Sequence, residues 1–239
     1  MKVAFYNQMF GLNGRKFRNY IRGHAYLHYL GKKSLFVKLV DLRRTFKLIK
    51  ETEADIIGFC EVLDFQKKEM EEGLNKLGYP YIFFGKGHLC KAGWHVNVVL
   101  ASKIKCKQIE TNEFPAENYI GGGGGIVHAY FPERKWDVVI VHLWLPRKKV
   151  YAIQLKFVKS YLGNVKGKLI LMGDFNLSYN HLKKHFCSLN LISGAQKTCK
   201  IPLIGYKDFD HIFARGFKKY KSGCAEGNSD HKLVWVGLE

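Results

Sequence analysis

Eight polar residues are of the types that handle cations, protons and phosphoryl oxygens: Asn7, Glu61, His142, Asp174, Asn176, Asp210, Asp230 and His231. Glu61 closes the apolar run IIGFCE. Oxygen donors of this kind suit a hard cation such as Mg2+ or Mn2+; the plain alternative is a surface carboxylate at a strand end. Asp174 and Asn176 alternate across Phe175 in GDFN, so an extended backbone would point them to the same side. The carboxylate could orient water, accept its proton or bind metal, and the amide could donate to a phosphate oxygen. The alternative is an Asx turn. Gly173 ahead of the pair implies close backbone packing. Histidine carries protons at neutral pH, which makes Asp230-His231 a candidate pair, and Asp210 could hold a histidine in one tautomer. An Asp-His pair alone would more often be structural, and its weight comes from its companions. His142, in the run WDVVIVHLWLP, is either part of the same chemistry or a half-buried histidine bonded to a carbonyl. His24, His28, His95, His128 and His211 are read as ordinary structural or surface residues. No side chain stands out as a covalent nucleophile.

The elements that would position these residues are mostly strands. Apolar runs predict strands over Val3–Tyr6, Asp55–Glu61, Tyr81–Phe84, Asn97–Leu100, Ile126–Phe131, Trp136–Leu143, Lys168–Met172, His211–Ala214 and Leu233–Val236. Leu35, Leu39, Leu42, Phe46 and Ile49 recur at helical spacing and predict one helix packed on a sheet, and Gln66–Leu77 and Tyr151–Leu162 predict two more. Gly121 to Gly125 reads as turn or loop. Many strands with a few helices between them fit two packed sheets flanked by helices. All eight candidate residues fall at or just beyond strand ends, which a sheet gathers onto one edge.

Composition narrows the function classes. Of the 239 residues 47% are hydrophobic, which excludes a disordered chain. Lys plus Arg number 39 against 20 for Asp plus Glu, a formal charge of +19 that attracts polyanions; a generally lysine-rich proteome is the alternative source. The stretch Arg15 to Lys50 holds eleven Lys or Arg and the single acid Asp41. Within it, Arg15, Lys16, Arg18, Arg22, Lys32 and Lys33 are candidate contacts to a polynucleotide backbone, with Tyr20, Tyr26 and Tyr29 able to stack on bases or to pack locally. The six cysteines form no C-x-x-C pair and read as reduced structural thiols without a zinc site. No membrane-spanning run or signal-peptide core is present, so a cytoplasmic protein is the default expectation.

The ordered set Asn7, IIGFCE with Glu61, VHL with His142, GDFN with Asp174 and Asn176, FDHIF with Asp210, and SDH with Asp230 and His231 resembles the endonuclease/exonuclease/phosphatase superfamily over nearly the whole chain. The resemblance implies an α/β fold, a four-layer αββα sandwich with two central mixed β-sheets, as one domain over 1–239 with a basic insertion around 15–34. It implies a divalent metal held by Glu61 with Asn7 and Asp230 nearby. It also implies Asp174 in water activation or leaving-group protonation, Asn176 in phosphate positioning, and His231 paired with Asp210 as base or charged stabiliser. Two departures matter. His142 stands where abasic-site endonucleases usually carry a tyrosine, and resembles the deoxyribonuclease, sphingomyelinase and polyphosphate-phosphatase branches. The gap from Asn7 to Glu61 is longer than usual.

The expected function is therefore a metal-dependent phosphodiester hydrolase, most simply a nuclease on DNA or RNA working by direct water attack. The alternatives are a phosphatase or phosphodiesterase on a small, inositol-type or lipid-linked phosphate, and a non-catalytic nucleic-acid-binding protein. No obligate protein partner or membrane contact is indicated.

Overall fold

A computed structural model of the chain describes residues 1–114, 125–144, 148–193, 197–201 and 204–239. One sheet has the spatial order β13 (Lys219–Glu226), β14 (Lys232–Leu238), β1 (Lys2–Asn7), β2 (Ile56–Leu63), β4 (Val96–Ser102) and β3 (Tyr81–Gly85). The other has the order β5 (Lys107–Glu113), β6 (Gly125–Phe131), β7 (Trp136–His142), β8 (Lys168–Asp174), β12 (Asp210–Arg215) and β9 (Asn190–Leu191). β1 and β2 run parallel, as do β7 and β8, while the remaining pairs are antiparallel. Both sheets are thus mixed, as expected.

The strand sequences are apolar on both faces because both faces are covered. Along β1, Val3 and Phe5 enter the core between the sheets, and Ala4 and Tyr6 face outward. Along β8, Ile170 and Met172 face inward, and Leu169 and Leu171 outward. The outer face of the first sheet is covered by α3 (Arg43–Thr52) and α4 (Lys67–Lys76), through Leu48, Ile49, Met70 and Leu74. The outer face of the second is covered by α5 (Lys148–Asn164), through Tyr151, Leu155, Val158 and Leu162. These four layers form the expected αββα sandwich. No helix among the described residues is long and apolar enough to cross a membrane.

Several local expectations need correction. The helix expected from Leu35 to Ile49 is two helices, α2 (Lys33–Val37) and α3. Between them Val40 bridges to Leu12, the Asp41 amide donates to the Gly11 carbonyl at 2.9 Å, and the Asp41 carboxylate accepts the Arg43 amide at 3.1 Å. The apolar spacing served two neighbours: Phe36 packs with Phe10 and Leu27, whereas Leu42 and Ile49 pack on the first sheet. Strands β5 and β13 were not foreseen. Both are sheet edges with polar sequences, KQIETNE and KYKSGCAE, that lack an apolar signal. Of the glycine run, Gly121 to Gly124 lie outside the described residues, and Gly125 opens β6 rather than a turn. The basic segment folds as α1 (Phe17–His24), continues through a π-helical turn, Ala25–Leu30, and stops at left-handed Gly31. All six cysteines are free thiols.

Strand register explains how distant residues meet. In the parallel pairs Asn7 lies opposite Cys60 and His142 opposite Asp174. β12 enters antiparallel with Asp210 opposite Asp174, and Asp230 and His231 immediately precede β14, the antiparallel neighbour of β1. Every candidate chain segment therefore reaches the same edge of the sandwich.

Gly173 sets the approach of β7 to β8. A Cβ there would lie 2.1 Å from the Val141 carbonyl oxygen, a backbone atom that cannot rotate away. Gly173→Ala is expected to destabilise by about 1–3 kcal/mol through overpacking. Gly163→Ala, in open space on α5, should be neutral or stabilising by up to about 1 kcal/mol. Urea unfolding of the two variants measures this, and equal stability of both would refute the role given to Gly173.

Candidate active site

Asn7, His142, Asp174, Asn176, Asp210 and His231 are all buried at that edge. The Asn7 amide donates to Asp174 Oδ2 at 2.9 Å, and Asn7 Oδ1 accepts the Met9 amide at 2.9 Å, so both ends of the Asn7 side chain are fixed. Asn7 Nδ2 also lies 3.5 Å from His231 Nε2. His231 Nδ1 is 2.8 Å from Asp210 Oδ2, and its Nε2 is 3.8 Å from Asp174 Oδ2. His142 Nε2 lies 3.8 Å from both Glu61 Oε1 and Asp174 Oδ2. Asp174 is thus shared by an amide and two imidazoles.

Two of the local backbones differ from expectation. β2 does not end at Glu61 but continues to Leu63, and Glu61 sits in a bulge with φ 58°. Cys60 and Glu61 together stand against Val98, because the register passes from Phe59↔Val99 to Val62↔Asn97. Strict alternation would send Glu61 to the side of Phe59, onto the helix-covered face; the extra residue breaks that alternation and re-aims it. Nor do Asp174 and Asn176 flank an extended Phe175. Asn176 is left-handed, φ 51°, and its amide donates to Asp174 Oδ1 at 2.8 Å, which is the Asx turn weighed as the plain alternative. The turn still delivers Asn176 to the site, where Nδ2 donates to the Leu143 carbonyl at 2.8 Å and keeps its second hydrogen. Phe175 is buried among Phe186, His211 and Phe213.

The environment separates the two histidines. Burial pushes His142 down to about 3, helped by the nearby His231 and His88, so it is neutral. Burial also opposes charge on His231, but the carboxylate of Asp210, with Asp230 behind it, outweighs burial and holds it well above the usual histidine range. Burial raises Glu61 to about 8, with Asp230 adding to the effect. Burial likewise raises Asp174 to about 7, and the charge on His231 limits the rise. Buried carboxylates with so little positive charge nearby resist ionisation, and a divalent cation would relieve them. Ligand atoms of Asp174, Asp210 and His231 lie within 4.8 Å of one another, as do those of Cys199, Asp230 and His231, and of Cys60, His142 and Asp174. None of these groups includes Glu61, and a hard cation fits carboxylate oxygens better than either thiol.

Above these groups opens a cleft of about 510 Å³. Glu61, His142, Asp174, Asn176, Asp230 and His231 line it, together with Tyr20, His24, His28 and Tyr29 from the basic segment. His24 and His28 stack, with ring centroids 5.5 Å apart, and burial lowers both, His28 to about 3. Read from sequence as ordinary structural residues, they form a neutral wall of the cleft. Trp144, Cys199, Ile201, Ile204 and Phe209 also line it and were not singled out. Trp144 could have been found, two residues beyond His142; an isolated cysteine offers no such signal. Among the six basic candidates, Arg15 lines an adjoining cavity and Lys33 lies 5.2 Å over the Trp94 ring. Lys16, Arg18, Arg22 and Lys32 are exposed and line neither cavity. Tyr26 packs into the local apolar cluster instead.

The sequence profile described as Endonuclease/Exonuclease/phosphatase family matches residues 38–231. No curated protein matches. Among solved structures, an endonuclease/exonuclease/phosphatase from Beutenbergia cavernae DSM 12333 superposes with TM-score 0.75 at 18% identity, covering 100% of this chain and 71% of its own. A mannosyl-6-phosphatase from Bacteroides thetaiotaomicron gives 0.64 at 19%, covering 100% and 99%. D. rerio TDP2 complexed with single strand DNA product gives 0.67 at 14%, covering 100% and 98%.

The His231–Asp210 pair makes a pH prediction. A histidine raised by folding adds stability that is full below its unfolded value near 6.5 and is lost as pH rises through its higher folded value. Asp210→Asn removes the largest attraction and leaves burial dominant, so the ring should titrate below an ordinary histidine. NMR titration of His231 is the check: protonated at neutral pH in the parent, neutral in the variant. A neutral ring in the parent would reject this electrostatic picture.

Proposed function

Because this chain belongs to the endonuclease/exonuclease/phosphatase family, we propose that it is a divalent-metal-dependent phosphodiester hydrolase acting on a polynucleotide by direct attack of water. The observation that carries the reading is the convergence of Glu61, His142, Asp174 and His231 on one cleft floor, with buried Asn7 held against Asp174 and buried Asp210 against His231. Non-catalytic binding would not call for so many ionisable groups at low exposure.

Glu61, Asp230 and the Asn7 amide oxygen would hold Mg2+ or Mn2+. Such an ion, when bound, polarises the scissile phosphate as a Lewis acid. Asp174, raised to about 7, is matched to take the proton of the attacking water or to return one to the leaving oxygen. Asn7 holds Asp174 in place through its 2.9 Å bond. His231 stays cationic through Asp210 and would face the non-bridging oxygens through Nε2–H as a charged stabiliser. The second amide hydrogen of Asn176 would donate to the same oxygens. His142 is neutral and donates without adding charge. Residues with pKa values pushed apart in this way divide the acid, base and electrostatic tasks.

The polynucleotide preference draws on the net charge of +19. Arg15, Lys16, Arg18, Arg22, Lys32 and Lys33 precede the family-matched residues, which begin at 38, and would guide a phosphate backbone toward the cleft. The second reading, a phosphatase on a small phosphate, is favoured by the fold shared with the mannosyl-6-phosphatase.

A magnesium-dependent panel of single-stranded DNA, duplex DNA, abasic DNA, RNA and small phosphate esters separates the two readings. Polynucleotides should be cleaved fastest. Glu61→Gln should weaken Mg2+ binding in calorimetry and remove most activity, and His231→Ala should lower turnover by roughly 10²–10⁴. Near-normal turnover in a folded His231→Ala protein would overturn the site assignment. Turnover confined to small esters would overturn the polynucleotide.

A further inference from the structure

A second cavity, of about 350 Å³, adjoins the cleft and shares Asp230 and His231 with it. The wall between them is a short ladder. Strand β10 (Cys199–Ile201), paired with β11 (Gly205–Lys207), lies against the segment before β14. Cys199 bridges to His231, the Lys200 amide donates to the Asp230 carbonyl at 2.8 Å, and the Lys232 amide donates to the Thr198 carbonyl at 2.7 Å. Side chains alternate across such a ladder. Cys199 lines the proposed catalytic cleft, Thr198, Lys200 and Lys232 line the second cavity, and Asp230 and His231 reach both. Lys232 thus directly follows the proposed phosphate-binding histidine, and Lys200 follows Cys199, the residue bridged to it.

The second cavity is basic. Arg15, Lys200 and Lys232 line it against Glu226 and Asp230, and Asp230 is already assigned to a cation. Glu226 is left to serve Arg15 at 2.7 Å and Lys232 at 3.9 Å. The Arg15–Glu226 pair is about half exposed on both sides, so solvent screens it and it can exchange for another anion at little cost. The Lys200 and Lys232 ammoniums lie 5.8 Å and 5.6 Å from the Tyr206 ring. Tyr206 and Phe17 are each about half exposed, flat rings at the rim. Cations beside open aromatic faces suit a strand carrying both phosphates and bases. Hydrolysis at His231 does not itself require any of these groups.

We propose that this cavity binds the phosphate next to the scissile one, so that the substrate is a nucleic-acid strand or strand end with two consecutive phosphates rather than an isolated phosphate ester. The proposal rests on the phosphodiesterase reading of the neighbouring cleft. Lys200 and Lys232 grip the second phosphate, Arg15 releases Glu226 to join them, and Tyr206 or Phe17 supports the attached base.

Three dinucleotides test it: one with only its internal phosphodiester, one with an added 5′-phosphate and one with an added 3′-phosphate. In the parent, one phosphorylated form should be preferred in kcat/KM by about tenfold or more, as charge-assisted contacts imply, with the gain in KM. The preference should shrink in Lys200→Gln, an exposed position, approach unity in Lys200→Gln/Lys232→Gln, and survive in Lys200→Arg. Unfolding curves confirm that each variant is folded. Absence of any preference in the parent, or its survival in the folded double variant, overturns the proposal. Calorimetric binding of the preferred dinucleotide in EDTA reads the cavity without turnover, and the double variant should bind about tenfold more weakly. Cleavage without a phosphate preference leaves the phosphodiesterase reading standing and removes the subsite. Lysine-dependent binding without cleavage of any dinucleotide does the reverse.

Discussion

The row His142–Asp174–Asp210 is set by strand register, and the candidate site depends on it. Parallel pairing of β7 with β8 brings His142 beside Asp174, and antiparallel pairing of β8 with β12 brings Asp210 to its other side. A slip of one residue along either pair would turn the side chains to the opposite face of the sheet. Such a slip would also drive Ile170 and Met172 out of the core between the sheets. Hydrophobic burial on both faces therefore fixes the alignment of the polar ends, although none of the polar ends contributes to that burial. Asn7 ties the first sheet to this row through its bond to Asp174, so the two sheets are joined at the edge where the chemistry is proposed.

What the register assembles is electrostatically unfavourable unless each charge has a counterpart. Five ionisable side chains, Glu61, His142, Asp174, Asp210 and His231, lie close together with little access to water. The His231–Asp210 contact resolves one pair, neutralisation of His142 resolves another group, and Glu61 with Asp174 remains. The left-handed backbones of Glu61 and Asn176 add strain, on the order of 1 kcal/mol or more each. Left-handed non-glycine residues occur elsewhere in the chain, so strain alone does not mark a site. Here it coincides with the uncompensated carboxylates, where a bound cation would offset both burdens.

The fold, and the meeting of most candidate residues at one edge, were legible because they rest on patterns that a linear sequence carries. Runs such as VAFYN and LILMGD are apolar on both faces, end in polar residues, and come in an order that resembles one family. The remainder depends on features without such a pattern. The bulge at Glu61 interrupts alternation by one residue inside an apolar strand, and nothing in IIGFCEVL signals it. The polar edges β5 and β13 are strands only because a neighbour pairs with them. The helix expected from Leu35 to Ile49 breaks because Phe36 and Leu42 pack on different clusters, a difference invisible in their spacing.

The hairpin β10–β11 shows the same limit at the site itself. CKIPLIGYK has neither strong alternation nor a family motif, yet its pairing with the SDHK segment divides the polar edge into two cavities. One side of that ladder presents an acidic floor suited to a cation, and the other presents ammoniums suited to an anion. A polyanion spanning the ladder, if bound as proposed, would meet the carboxylates of the cleft on one side and the lysines of the second cavity on the other. The basic segment that precedes the family-matched residues contributes to both cavities, Arg15 and Phe17 on one side and Tyr20 and His24 on the other. Its fold therefore gives the shared edge a shape that the common sandwich alone does not dictate.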